Sequence, residues 1–260
     1  MSNENPALCQ LSAFQALAES AAREAGCLLR ENFGNDLQVD EKKTYDIKLA
    51  LDRHSQDMIA RHLLGKYPEH AFYGEEGIEG TQESAYQWIV DPIDGTVNYF
   101  YGIPHFCVSI GLRHGDEMIV GVIYDPMQDE MWSVVKGGKP VLNGREIRAS
   151  GRSSLGDSIV TVGFSKSKES IDHGFKRFRD IAYKVRKTRM MGSAALAMAY
   201  IACGRLDVYI EEEISLWDIA AGRILIENAG GEVVLRASPS DPDKLFICAS
   251  NGSLDLSAYL

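Results

Sequence analysis

Residues 88–100 read WIVDPIDGTVNYF: three apolar residues, two acids three positions apart, then Gly and Thr. Trp88, Ile89 and Val90 have the continuous apolar character of a buried strand. Asp91 is expected to end that strand, Pro92 to turn the chain, and Asp94 to fall where a helix can begin. Both carboxylates then project into the crevice at the strand's C-terminal end. Gly95 and Thr96 lie at the first turn of the segment that follows, where free N–H groups suit a phosphate. Read alone, DPIDG also fits a Pro-Asp-Gly turn joining two strands.

Outward from this stretch, residues 71–147 carry short β-rich runs such as FCVSIGLR and EMIVGVIYD, separated by turn signals such as HGDE and LNGRE. They predict a sheet that is largely antiparallel in its later part. Before it, Leu11, Phe14, Leu17, Ala18, Ala21, Ala25, Leu28 and Leu29 recur at three and four spacing, which predicts a helix over 11–33. A second helix fits DRHSQDMIARHLLGKYP, with Met58, Ile59, His62 and Leu63 on one side. After the polar SGRSSLGD, residues 150–157, strands and helices alternate to the end of the chain. The pattern reads as mixed α/β, or α+β, with residues 1–150 and 151–260 as two halves of one unit.

At 260 residues, 45% hydrophobic and 25% charged, the chain can bury a sizeable core. Its formal charge of -10 argues against nucleic-acid or anionic-membrane binding through the net field, so an anionic substrate needs local help from metal ions, backbone N–H groups or a few placed cations. Five scattered cysteines without a C-x-x-C spacing suggest neither a disulfide framework nor a zinc site. The first ten residues lack signal-peptide character, and no run approaches the roughly 18 apolar residues of a membrane span. No membrane association and a reducing cytoplasm are therefore expected.

Acidic residues sit at the ends of predicted elements in four segments: Glu75 in YGEEG, Asp91 and Asp94 in VDPIDG, Asp52 in LALDR, and Asp218 in LWDIAAG. Oxygen ligands of this kind suit a hard cation such as Mg²⁺. Glu75, Asp91, Asp94 and Asp218 together carry four negative charges, which two divalent ions neutralise and whose repulsion raises carboxylate pKa values without them. Taken singly, GEEG reads as a solvated loop and the Asp of WD as a helix cap. Their joint occurrence in this order is what gives the pattern its meaning.

GEEG, WIVDPIDGTVNYFYGIPHFCVSIGL, GSAALAMAYIACGRLDVYIE and WDIAAGRILIENAGGEV, in this order, resemble the inositol monophosphatase family of Mg²⁺-dependent, lithium-sensitive sugar phosphatases over nearly the whole chain. The resemblance implies a layered αβαβα sandwich and a homodimer. It assigns Glu75, Asp91 and the carbonyl of Ile93 to a first metal, and Asp91, Asp94 and Asp218 to a second. Thr96 with Asp52 would orient and deprotonate the attacking water, Glu75 assisting through a third, loosely held ion. Gly95 and Thr96 would meet the phosphate; Gly192, Ser193, Ala194 and Glu211 would contact the sugar hydroxyls, and Asp94 and Asp218 would also bind the substrate. The implied reaction is hydrolysis of a sugar or polyol phosphate, most of all myo-inositol monophosphate. Histidinol phosphate, bisphosphate nucleotide, NADP and fructose bisphosphate are the alternatives.

The sequence is also similar to the bacterial branch that includes an RNA polymerase-binding protein, and Arg177, Arg179, Lys184, Arg186, Lys187 and Arg189 form a basic cluster that such a role would use or that a solvated helix face would carry. A covalent phosphoaspartate is not expected, because phosphatases of that type place their acids two apart and Asp91 and Asp94 are three apart. Two stretches depart from the family pattern: Lys48 and Leu49 replace Val and Thr, and Glu212 and Glu213 add acid beside Glu211. That added acid is expected to disfavour a second phosphate on the substrate.

Overall fold

The computed structural model describes residues 6–35, 39–43, 46–164, 168–238, 241 and 243–260. The chain runs through α1 (Pro6–Asn32), the hairpin β1 (Val39–Lys43) and β2 (Asp46–Leu49), α2 (Ala50–Lys66), β3 (Ala71–Gly74), β4 (Gly77–Gly80), β5 (Tyr86–Asp94) and α3 (Thr96–Phe100). There follow β6 (Cys107–His114), β7 (Glu117–Asp125), β8 (Glu130–Val135), β9 (Val141–Leu142) and β10 (Arg145–Glu146). The remainder is β11 (Ile159–Val162), α4 (Lys168–Ala182), β12 (Lys187–Arg189), α5 (Ala194–Ala202), β13 (Val208–Ile214), α6 (Leu216–Asn228), β14 (Glu232–Ala237) and β15 (Leu245–Ser250).

Two sheets carry these strands: one of eight, ordered β10-β9-β8-β7-β6-β5-β3-β4, and one of five, ordered β12-β11-β13-β15-β14. Strand alternation sorts their side chains into three cores. Trp88 and Val90 of β5 and Val108, Ile110 and Leu112 of β6 face α1 and α2, meeting Phe14, Ala18, Ala25, Ile59 and Leu63. On the inner side, Ile123 and Trp132 of the large sheet and Tyr209, Ile247 and Ala249 of the small one enclose α5 and α6. Val160, Val208 and Ile210 face outward to Ile181 of α4. The layers are thus α1/α2, sheet, α5/α6, sheet, α4: the αβαβα sandwich.

The inner helices follow from this position. α5 reads AALAMAYIA and is buried on nearly every side, as a helix held between two sheets requires. α6 approaches the large sheet where β6 and β7 carry Gly111 and Gly121; a Cβ on Gly121 would stand 2.6 Å from the Ala221 carbonyl oxygen. The absent side chains let the helix axis come close.

Two sequence expectations differ from the structure. Pro92 does not turn the chain: β5 continues to Asp94, with a bulge between Asp91 and Asp94. Proline is tolerated there because a bulge needs no ladder N–H from it. The hairpin of β1 and β2 was not expected, since its charged residues show no apolar alternation.

Candidate active site

Register explains how two acids three apart reach the same face. Asp91 pairs with Ser109 and Asp94 with Cys107, so three steps on β5 oppose two on β6. In a regular strand residues three apart point to opposite faces; the extra residue of the bulge cancels that and turns both carboxylates to the inner side. Ile93, between them, points to the α1/α2 core. Its N–H donates to Asp91 Oδ1 at 3.0 Å. β3 runs parallel to β5 with Gly74 opposite Val90, and the Glu75 N–H donates to the Val90 carbonyl at 3.2 Å, which brings Glu75 to the same sheet end as Asp91.

Asp218 arrives from the other layer. It occupies the first turn of α6, and its Oδ2 accepts the Ser215 N–H at 2.9 Å, closing the capping contact that starts the helix. One carboxylate oxygen from each of Asp91, Asp94 and Asp218 lies within 4.8 Å of the others. Asp91 is held well above the usual carboxylate range by burial first and then by the charges of Glu75, Asp94 and Asp218. Burial and the charge of Asp94 push Asp218 up to about 7. Asp94 is also raised by burial, against hydrogen bonds that favour its ionised form.

Those bonds are numerous. Ser193 Oγ donates to Asp94 Oδ2, the Ala195 N–H reaches the same oxygen at 2.9 Å, and the Ala194 N–H reaches Oδ1 at 3.1 Å. The Cys107 thiol stands 3.5 Å from Oδ2. Asp94 therefore sits on the N-terminus of α5, where free N–H groups and the dipole favour a carboxylate.

A cleft of about 660 Å³ opens over these acids. Its wall includes Glu75, Asp91, Ile93, Asp94, Gly95 and Thr96 from the large sheet and α3. Across it stand Gly192, Ser193, Ala194, Glu211 and Asp218. Gly95 takes φ 97°, and a Cβ there would come 3.0 Å from the His105 carbonyl oxygen, so glycine fits this corner where a larger residue would not. Thr96 Oγ1 donates to the Ile93 carbonyl at 2.8 Å. Asp52 is buried behind the cleft rather than on its wall, and its Oδ2 accepts the Leu49 N–H at 2.7 Å. Its charge, after burial, helps raise the Tyr99 phenol, which places Asp52 near α3.

At Leu49, where the family pattern has Thr, the backbone N–H serves Asp52. The side chain of Lys48 lies outside the described residues. Added acid beside Glu211 is only half the expected picture. Glu212 turns to the α4 side, where Arg177 donates to it at 2.8 Å, while Glu213, at φ 57°, lines the cleft. The basic cluster is dispersed as well, since Arg177 pairs with Glu212 and Arg186 with Asp157.

Several cleft residues escaped the sequence reading. Asn98 Nδ2 donates to the carbonyls of His105 at 2.8 Å and Met191 at 3.0 Å, tying α3 to the strand-to-helix turn before α5. The Tyr209 hydroxyl donates to Glu211. Lys244 reaches in from the approach to β15. The alternation of β13 signals Tyr209, two residues before Glu211; nothing local signals Asn98 or Lys244.

The donor set fits a hard divalent cation: carboxylate oxygens of Asp91 and Asp94 from β5 and of Asp218 from α6 converge within 4.8 Å, with burial opposing the charge on all three and neighbouring carboxylates opposing it further on Asp91 and Asp218.

Comparison with known proteins agrees with this geometry. The model of the inositol monophosphatase family matches residues 10–255. Inositol monophosphatase 2 of Solanum lycopersicum is 38% identical over 240 residues, covering 88% of this chain and 89% of that protein. Nus factor SuhB of Xylella fastidiosa is 38% identical over 217 residues, covering 82% of this chain and 78% of that protein. Among solved structures, the extragenic suppressor protein suhB from Bartonella henselae superimposes with a TM-score of 0.85 at 32% identity, covering 92% of this chain and 95% of that one.

Proposed function

This chain belongs to the inositol monophosphatase family, and we propose that it hydrolyses a phosphate monoester of a polyol, myo-inositol monophosphate first among them, with magnesium as cofactor. The observation that carries the reading is the convergence of Asp91, Asp94 and Asp218 beside the Gly95–Thr96 corner. Glu75, Asp91, the Ile93 carbonyl, Asp94 and Asp218 are the groups that would hold two or three Mg²⁺ ions. When bound, such ions activate water and neutralise charge on the transferred phosphoryl group.

The protein's own groups supply position and proton handling. Gly95 and Thr96 receive the phosphate at the corner that the left-handed glycine shapes. Thr96 Oγ1, which donates to the Ile93 carbonyl before reaction, offers its oxygen lone pairs to the attacking water; as it takes the water's proton its hydroxyl turns to release its own to Asp52, the proton acceptor of the pair. Asp94 is held rigid by α5, so its role is to keep one geometry rather than to move. Because the Ser193 hydroxyl and Ala194 N–H already serve Asp94, recognition of the sugar hydroxyls falls mainly on Glu211, oriented by Tyr209.

Phosphate release from inositol, histidinol, fructose and adenosine phosphates, with and without Mg²⁺ and Li⁺, tests this reading. Turnover of the inositol ester that requires Mg²⁺ and falls with Li⁺ supports it; Mg²⁺-independent turnover, or none with any ester, overturns it.

The similarity to a protein named Nus factor supports a second reading, in which the fold also serves a protein partner. RNA polymerase is the partner the sequence resemblance implies. Co-purification with polymerase that persists in Asp91→Asn would establish this role independently of catalysis. A homodimer is the assembly we propose, checked by sedimentation. Among the described residues no helix is long and apolar enough to cross a membrane.

A further inference from the structure

We infer that Lys244 is a substrate-binding residue, the cation that receives an anionic phosphate oxygen in the cleft; the inference rests on the phosphatase reading above. Among the described residues lining the cleft, Lys244 carries the one cationic side chain, amid a wall otherwise rich in carboxylates. An ammonium in such surroundings is expected to pair with the nearest acid. Lys244 does not: among the described residues its partners are the Ser215 hydroxyl, to which Nζ donates, and the face of Trp217, 5.4 Å from the ring centroid.

Both partners are neutral and both line the cleft. A hydroxyl and an aromatic face fix the direction of an ammonium without neutralising it. They restrain a long, flexible side chain in advance of binding, which lowers the ordering cost when a ligand arrives. An ammonium has three N–H donors, and the hydroxyl takes one.

The position is also suitable. Ser215 is the residue before α6, and its N–H donates to Asp218 Oδ2 at 2.9 Å. One residue thus connects the ammonium to the carboxylate cluster where phosphate chemistry is placed. The chain's net charge of -10 means that a phosphate ester entering this cleft meets an unfavourable field unless local cations oppose it. Nothing in the sequence around Lys244 marks it, because its partners lie at the start of α6, Ser215 being 29 residues away.

Two sources share this chemistry: the phosphoryl group being transferred, and a second anionic group on a larger substrate. Calorimetric titration of inorganic phosphate into the Mg²⁺-loaded protein, for wild type, Lys244→Met and Lys244→Arg, tests the inference together with KM for inositol monophosphate and fructose 1,6-bisphosphate. If the transferred group is the ligand, Lys244→Met weakens phosphate by about tenfold or more and raises both KM values, with Lys244→Arg restoring most of the loss. If a second anion is the ligand, only the bisphosphate KM rises. Phosphate affinity and both KM values within about twofold of wild type overturn the inference. Failure of the phosphatase reading looks different: wild type itself then turns over neither ester. A purely structural role for Lys244 would lower the melting temperature without altering the salt dependence of phosphate binding, whereas a binding role weakens that dependence in Lys244→Met.

Discussion

The hydroxyl of Ser193 donates to Oδ2 of Asp94, joining the first turn of α5 to the bulged end of β5. The same oxygen of Ser193 accepts the Leu196 N–H at 3.3 Å, so one side chain both caps the helix and fixes the carboxylate. The inner layer of the sandwich and the acidic cluster are therefore mechanically linked.

Ser193→Ala removes both contacts. Loss of a helix cap costs about 0.5–2 kcal/mol, so chemical denaturation is expected to show a loss in that range. Magnesium affinity is expected to fall as well, because Asp94 loses a donor that holds it. Stability lost with unchanged metal affinity would show that the two roles are separable.

Asp91→Asn acts in opposite directions on stability and function. It removes a buried carboxylate whose charged form is opposed by burial and by Glu75, Asp94 and Asp218. The metal-free variant is expected to melt above metal-free wild type, while losing Mg²⁺-dependent phosphate release. Thermal melts in chelator distinguish this from general damage, which lowers the melting temperature.

The pH dependence has a sign fixed by the same cluster. Asp91, Asp94 and Asp218 have raised pKa values in the folded protein. Their contribution to stability is full below the unfolded-state value, about 4, and is lost as pH rises through the folded values, about 7 for Asp218. His70 and His105, lowered by burial, act oppositely, their contribution being lost as pH falls below about 6.5. The difference between Mg²⁺-loaded and chelated protein isolates the acids. That difference in melting temperature is expected to widen from pH 5 to pH 8; a constant difference would contradict the reading.

Gly121→Ala tests whether close approach of α6 places Asp218. The new Cβ meets the Ala221 carbonyl and the Ile224 side chain, and overpacking of this kind costs about 1–3 kcal/mol. Reduced stability with weaker Mg²⁺ binding is expected. Full Mg²⁺ affinity in the destabilised variant would show that α6 can shift without moving Asp218.

Much of this site was legible in sequence because its acids lie in short segments whose order is itself informative: DPIDGT at a strand end and WDIAAG opening a helix. The layered fold followed from that same resemblance, and the alternation of helices and strands supported it. What was not legible depends on register and on distance. Pro92 reads locally as a turn, yet the bulge absorbs it; a proline inside an apolar run was the available signal for one. Glu211 and Glu212 look equivalent in EEEI, but strand alternation sends one to the cleft and the other to Arg177. Ser193 and Lys244 take their meaning from partners far along the chain, which no local pattern encodes.

On the proposed function, Asp91, Asp94 and Asp218 together hold one metal centre. Calorimetric titration of Mg²⁺, with inositol monophosphate-derived phosphate present, into wild type, Asp91→Asn and Asp218→Asn measures it most directly. Saturable binding to wild type and a severe loss in both variants are expected, although their residues come from different layers of the fold. Binding that survives in Asp218→Asn at wild-type strength, or no uptake by wild type, would contradict it.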